Sequence, residues 1–210
     1  MQWTVLVPAK AMPGAKSRLA AAGDGDTHDA LVAALRADTL SAARAAAGVA
    51  RIVLVSDRTT PLPAGVDEVV VQSHPGLNAA LREAAEHANG RWPADGVAAL
   101  VGDLPALHPD ELAAALAAAE NSGRSFVADH TSLGTTLLTA GPGSSLDPAF
   151  GPGSAAAHGA SGAVPIPGAP GLRQDVDTPA DLRAALELGV GPATLAVTAS
   201  AQRRVHLGSA

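Results

Sequence analysis

The chain has 210 residues, 47% of them hydrophobic and only 2% aromatic, with no cysteine and a formal charge of -6 from 14 basic and 20 acidic side chains. These values fit one α/β domain with an aliphatic, alanine-rich core, and they exclude a disulfide framework, thiolate chemistry and a wholly disordered chain. The acidic balance argues against a nucleic-acid or anionic-membrane partner, yet leaves room for an anionic small substrate at a locally basic loop.

No basic leader or apolar membrane span is visible before the first strand pattern, so a cytoplasmic protein is expected. That strand runs from Trp3 to Val7 and stops at Pro8. Residues Ala9 to Leu19 form a loop with Lys10, Lys16 and Arg18, one Gly and one Pro. The order strand, basic loop, helix brings these cations to the carboxyl edge of a sheet, where they suit a polyphosphate or simply face water. The loop matches neither the P-loop nor the dinucleotide fingerprint, which argues against both classes. A helix is predicted from Thr27 to Ala47, with Thr27 as N-cap and Gly48 just past its end.

Arg51 to Ser56 reads as the second strand and Val66 to Gln72 as the third. Leu77 to His87 reads as a helix closed by Asn89-Gly90. Asn78 lies in its first turn, as a local cap or as a hydrogen-bonding group for a base or ribose. The uncharged run Val97 to Val101 then reads as a strand buried on both faces, as in a parallel sheet. It stops at Gly102-Asp103, with Pro105 ending any further ladder pairing. A carboxylate is thus planted at a strand's carboxyl end, where open α/β sheets bind ligands, although Asp is also a common turn residue.

Pro109-Asp110-Glu111 opens a helix that Asn121-Ser122-Gly123 closes, and the two acids are read as helix-start residues. Ser125 to Ala128 is a short strand followed by Asp129-His130, and Gly134-Thr135-Thr136 leads into a strand over Leu137 to Thr139. Gly141 to Gly153 is rich in Gly, Pro and Ser. A short helix starting at Ala155 would let the end of this loop offer backbone N–H groups to an anion; otherwise it is a linker. Thr178-Pro179-Ala180-Asp181 is a capped helix start. If the residues before it are extended, Asp175 and Asp177 share a face. Two carboxylates ~4 Å apart cost on the order of 4 kcal/mol at an effective dielectric of about 20. A hard cation removes that penalty. Asp103, Asp175 and Asp177 therefore make a candidate divalent-metal site facing a basic loop, a constellation suited to nucleotidyl transfer. From Gly191 onward little pattern remains, so the chain divides into a domain over 1–190 and a C-terminal tail over 191–210, expected to be partly disordered.

Five segments in order carry a family resemblance: Val7-Pro8-Ala9-Lys10 through Ala15-Lys16-Ser17-Arg18-Leu19; Val101-Gly102-Asp103-Leu104-Pro105; Gly134-Thr135-Thr136; Phe150-Gly151-Pro152-Gly153-Ser154 with His158; and Asp175-Val176-Asp177-Thr178-Pro179-Ala180-Asp181-Leu182. Over roughly residues 3 to 188 the chain resembles the phosphoenolpyruvate and 2-phospho-L-lactate guanylyltransferases of deazaflavin coenzyme F-420 biosynthesis. The resemblance implies a single-domain, Rossmann-like mixed α/β sheet with helices on both faces, of the nucleotide-diphospho-sugar transferase type. It implies a reaction in which the phosphate of a small three-carbon acid attacks the α-phosphorus of GTP and pyrophosphate leaves.

Carried over by position, Asp103, Asp175 and Asp177 hold Mg²⁺, and Thr135, Gly151 and Ser154 hold the acceptor carboxylate. Pro8, Lys10, Lys16, Ser17, Arg18, Asn78 and Gly102 form the nucleotide side, with Asp103, Lys16 and Arg18 as the catalytic group. The family often has Asn where this chain has Thr136. Phosphoenolpyruvate is the expected acceptor, with phospholactate or 3-phosphoglycerate as alternatives. A more distant alternative is a non-catalytic nucleotide-binding protein on the same fold. With no Cys and no activated-nucleophile motif, transfer is expected without a covalent enzyme intermediate.

Overall fold

The computed structural model describes residues 1–9, 25–59 and 61–208. In chain order the elements are β1 (Trp3–Pro8), α1 (Gly25–Ala45), β2 (Val49–Ser56), β3 (Glu68–Val71), α2 (Leu77–Arg91), β4 (Gly96–Leu100), α3 (Pro109–Ala119), β5 (Arg124–Ala128), β6 (Thr135–Ala140), α4 (Ser154–Ala160), β7 (Val164–Pro165), α5 (Pro170–Arg173), α6 (Pro179–Leu188) and α7 (Pro192–Gly208). The strands form one seven-stranded sheet in the order β3-β2-β1-β4-β6-β5-β7. β1 pairs in parallel with both β2 and β4, β2 in parallel with β3, and β5 in parallel with β7. β6 runs antiparallel to its neighbours β4 and β5, so it alone among these strands is reversed.

Period-two alternation explains why both faces are covered. Val5, Val7, Ile52, Leu54, Ala98, Leu100, Val127 and Leu137 pack on one face, against Leu40 and Ala43 of α1 and Leu112 and Leu116 of α3. Leu6, Val53, Val55, Val97, Ala99, Phe126 and Leu138 pack on the other, against Ala80, Leu81, Ala84 and Ala88 of α2. Small alanines on the helices let aliphatic strands and helices approach closely, which suits a chain with so few aromatic side chains.

Several boundaries differ from the sequence reading. α1 is described from Gly25 and Thr27 lies within it, while Gly48 (φ +87°) serves the turn into β2. α2 runs through Asn89-Gly90 to Arg91, because the next residue, Trp92, donates its N–H to the Ala88 carbonyl at 2.8 Å and packs against the core. The Arg51 and Arg91 guanidinium groups lie 4.8 and 5.5 Å from the Trp92 ring centre. Tertiary packing of one aromatic residue thus overrides a local stop signal.

Leu172 and Arg173 are helical in α5, and no regular strand carries Asp175 and Asp177, which lie in the link between α5 and α6. The expected patternless tail is instead α7, packed on α1. The Asp38 carboxylate on α1 accepts from the N–H groups of Ala193 and Thr194 at 3.0 and 2.8 Å, capping α7. A Cβ at Gly191 would lie 2.4 Å from that carboxylate, so only glycine fits there. Among the described residues the helix packs on α1. Among the described residues no helix is long and apolar enough to cross a membrane.

Candidate active site

β1 connects through α1 to β2 on one side, while β4 lies on the other side of β1. The crevice between the carboxyl ends of β1 and β4 is therefore the switch point at which open α/β sheets take ligands. Pro8 ends β1 and Gly102 follows β4 across this crevice. A Cβ at Gly102 would come to 3.1 Å from the Pro8 carbonyl oxygen, so the position requires minimal bulk. Asp103 comes next. Its carbonyl accepts from the Val176 N–H at 3.1 Å, and the neighbouring Leu104 N–H donates to the Thr39 hydroxyl at 2.9 Å. The first of these bonds lies between the two other candidate ligands in sequence, tying Asp175 and Asp177 to the end of β4.

Four carboxylates gather at this edge. Asp175 has a side chain only 22% exposed, and its carboxyl is pushed up to about 8, first by burial and then by the charges of Asp103, Asp177 and Asp129. The expected trio of Asp103, Asp175 and Asp177 is thus joined electrostatically although it does not lie on two strand ends. Among the described residues no three acidic or histidine side chains already stand in a geometry that would ligate one ion. The donor chemistry nonetheless suits a hard divalent cation: all groups are oxygens, and one of them resists ionisation unless positive charge arrives.

Asp129 and His130 are the partners that the sequence reading passed over. The Asp129 carboxylate accepts from the N–H groups of Leu133 and Gly134 and from the Thr131 hydroxyl, at 3.1, 3.0 and 2.9 Å. It thereby shapes the turn into β6. His130 Nδ1 lies 3.4 Å from an Asp175 oxygen and its Nε2 3.8 Å from an Asp181 oxygen. Arg173 donates to the Ala128 and Asp129 carbonyls and to the Ser132 hydroxyl, closing the same turn from α5. The available signal was positional: Asp129 follows a strand just as Asp103 does.

Because β6 is reversed, its first residues lie beside the carboxyl end of β4, and the Val101 N–H donates to the Thr136 carbonyl at 3.0 Å. Thr135 therefore stands at the same edge as Asp103. Gly151 (φ +140°) lies in the loop leading into α4, and Ser154, the first residue of that helix, is buried. The Ala155 N–H donates to the Leu133 carbonyl at 3.1 Å, which joins this loop to the Asp129 turn. Asn78 neither caps α2 nor stands apart: its amide donates to the Phe150 carbonyl at 2.9 Å and accepts from the Phe150 N–H at 2.8 Å. It clamps the loop that carries Gly151 to the helix that follows β3.

Pro8, Gly102, Asp103, Asp175, Asp177, Thr135, Gly151, Ser154 and Asn78 thus lie in loops and at element ends at one end of the sheet. Lys10, Lys16, Ser17 and Arg18 lie outside the described residues, in the segment that continues directly from Pro8 and Ala9. A cavity of about 300 Å³ adjoins that end, lined by Ala9, Arg36, Leu54, Ser56, Asp57, Arg58 and Pro63.

No protein-family model matches the chain. A phosphoenolpyruvate guanylyltransferase of Geodermatophilus obscurus is 51% identical over 215 residues, covering 96% of both chains. Enzymes of the same name from Streptomyces coelicolor and Streptomyces avermitilis are 48% and 50% identical, each covering 95% of this chain. Among solved structures, a nucleotide-diphospho-sugar transferase from Desulfovibrio desulfuricans superposes with a TM-score of 0.60 over 85% of this chain at 15% identity. The manganese complex of Rv0371c from Mycobacterium tuberculosis superposes with a TM-score of 0.53 over 89% of this chain at 22% identity. Both superpositions speak for the nucleotide-diphospho-sugar transferase fold.

Proposed function

We propose the function from a plain premise, that the chain belongs to the phosphoenolpyruvate guanylyltransferase family. It transfers GMP from GTP to the phosphate of phosphoenolpyruvate, giving enolpyruvyl-diphosphoguanosine and pyrophosphate, a step of deazaflavin coenzyme F-420 biosynthesis. A phosphate oxygen of the acceptor attacks the α-phosphorus, a new P–O–P linkage forms, and the bond to the β-phosphate breaks. Both reactants are anionic, so the barrier is dominated by bringing them together and by charge at the transferring phosphorus.

The observation that carries this reading is the carboxylate cluster at the switch point, with Asp175 held to about 8 by burial and by Asp103, Asp177 and Asp129. Asp103, Asp175 and Asp177 hold a divalent cation, Mg²⁺ in the working enzyme. When bound, it supplies charge neutralisation for the acceptor phosphate and the α-phosphate. Lys16 and Arg18 grip the triphosphate and stabilise the departing pyrophosphate, with Lys10 and Ser17 completing the loop after Pro8. Gly102 keeps side-chain bulk out of the crevice. Thr135, Gly151 and Ser154 receive the acceptor carboxylate, which orients its phosphate toward the nucleotide.

Phosphoenolpyruvate and phospholactate share the carboxylate and phosphate and differ at the third carbon. A contact of that size discriminates by about 1–3 kcal/mol. Phospholactate is therefore expected to be a weaker substrate. The experiment is pyrophosphate release with GTP or ATP, Mg²⁺, and each of phosphoenolpyruvate, phospholactate and 3-phosphoglycerate, with mass detection of the product. Turnover of phospholactate with none of phosphoenolpyruvate overturns the acceptor. Nucleotide binding without turnover of any acid overturns the reaction, and a guanylylated protein overturns direct transfer.

A further inference from the structure

His158 is fully buried and the proposed reaction gives it no role. Its ring lies between the only two phenylalanines of the chain, 5.2 Å from Phe150 and 6.0 Å from Phe126, centre to centre. Both nitrogens are engaged. Nε2 lies 2.9 Å from the Ala149 backbone nitrogen, and Nδ1 lies 2.9 Å from Thr135 Oγ1. A backbone N–H can only donate, so Nε2 must be the bare, accepting nitrogen. A neutral ring then carries its proton on Nδ1 and donates it to Thr135. Burial, and secondarily the Arg124 guanidinium, hold the imidazole neutral down to about pH 4.

This choice of tautomer fixes the Thr135 hydroxyl. One lone pair of Oγ1 is occupied by the imidazole N–H, so the hydroxyl proton must point elsewhere. The hydroxyl proton is thereby turned away from the ring and is available to another acceptor. The same ring fixes Ala149, the residue before Phe150, while Asn78 fixes Phe150 itself. His158 therefore holds a hydroxyl of β6 and the loop that carries Gly151 and Ser154 in one relative placement.

We propose that His158 is a positioning residue for acceptor binding: its Nδ1–H aims the Thr135 hydroxyl proton at the carboxylate of the phospho-acid, while its Nε2 holds the Ala149–Ser154 loop opposite. The inference rests on the assignment of Thr135, Gly151 and Ser154 to the acceptor carboxylate. It separates the two bonds of one ring by function: one orients a donor, the other seats a loop.

Two substitutions divide the bonds. His158→Gln can reach Ala149 with its carbonyl oxygen but removes the donor to Thr135. His158→Asn can keep a donor near Thr135 but leaves the Ala149 N–H without its acceptor. Both are assayed in the full chain with GTP and Mg²⁺. His158→Gln is expected to raise the KM for phosphoenolpyruvate about tenfold, as for one lost oriented hydrogen bond, with the KM for GTP unchanged. In a Thr135→Val background the same change is expected to add no further effect on that KM, because the group it orients is gone. Equal rises in both KM values, or additive effects in the double variant, overturn the inference and leave His158 as a packing residue.

If both variants fold poorly, the wild-type protein decides. Its imidazole nitrogen resonances at neutral pH must show Nδ1 protonated and Nε2 bare; the opposite tautomer, or a protonated ring, overturns the inference. Failure of wild-type protein to use phosphoenolpyruvate would instead overturn the proposed function, so the two failures are told apart by the control.

Discussion

The Asp175 carboxyl offers the sharpest test, because its environment makes opposite demands on stability and activity. In an unfolded chain it ionises near 3.8, whereas in the fold burial and three neighbouring acids hold it to about 8. Between those limits the unfolded chain gives up a proton that the folded chain keeps, so this group makes stability fall as pH rises from about 4 to about 8. Each pH unit of separation is worth about 1.4 kcal/mol, so the interval from 3.8 to about 8 sets a ceiling of roughly 5–6 kcal/mol. Solvent reaches 22% of the side chain, and screening there reduces the expected loss to a few kcal/mol.

The assay is urea unfolding in EDTA at intervals from about pH 5 to about pH 8, for wild type and Asp175→Asn. The wild type is expected to lose stability across this range, and Asp175→Asn to lose much of that slope and to be more stable at the alkaline end. In pyrophosphate release the same variant is expected to be nearly inactive. Added Mg²⁺ should stabilise the wild type more as pH rises, because binding competes with the proton, and should do little for the variant. Identical pH slopes for the two proteins in EDTA would refute the reasoning, since the carboxylate cluster would then carry no strain for a cation to relieve.

The other expectations follow from single contacts. His158, held neutral to about pH 4, contributes stability that is lost as pH falls from about 6.5 toward 4, so His158→Gln should unfold with a flatter acid limb in the same urea series. Asn78→Ala removes both bonds to the Phe150 backbone and should cost about 1–3 kcal/mol of stability by thermal unfolding, with a higher KM for the acceptor. Asp38→Ala uncaps α7 and should cost ~1 kcal/mol, with faster amide hydrogen exchange confined to the first turn of α7 and its seat on α1. Lys16→Ala and Arg18→Ala should each weaken GTP binding by about 1.5–3 kcal/mol in calorimetry while leaving acceptor binding much less affected.

Most of the sheet could be read from the chain because its strands are short apolar runs ended by glycine, proline or aspartate. The apolar run from Val97 needed no long-range information to be read as a doubly buried strand, which spans Gly96–Leu100, and the Thr178–Asp181 cap was complete in four residues. The misreadings share one cause, tertiary contacts that local patterns do not encode. Trp92 carries α2 past a glycine, and Asp38 organises a helix more than 150 positions away in sequence. At the site, the single acids Asp103, Asp175 and Asp177 could be chosen as residue types at element ends. Their coupling to Asp129 and the bridging by His130 depend on α5 folding back beside β5. The role of His158 was least legible, since a histidine in a short alanine-rich helix has no local pattern that reports which two backbone segments its ring joins.

The reversal of β6 explains why one edge can serve two anionic reactants. Strands β3, β2, β1 and β4 all point their carboxyl ends the same way, and in sequence the segment with Lys10, Lys16 and Arg18 follows Pro8. A further parallel strand beside β4 would deliver only another carboxyl end there. An antiparallel strand delivers its beginning instead, so the turn that Asp129 shapes, and Thr135 directly after it, arrive beside Asp103. Asp103 therefore stands at the seam between the parallel strand β1 and the reversed strand β6. Under the proposed function the cations after Pro8 would meet the nucleotide, whereas the acceptor would meet the carboxylates of Asp103, Asp129, Asp175 and Asp177, with His130 and Arg173 beside them. A phospho-acid bound there would meet like charge, and a divalent cation at the seam would relieve the repulsion on both sides at once. The raised Asp175 carboxyl is the sign of that deficit, which is why proton and divalent cation are expected to compete for the same place.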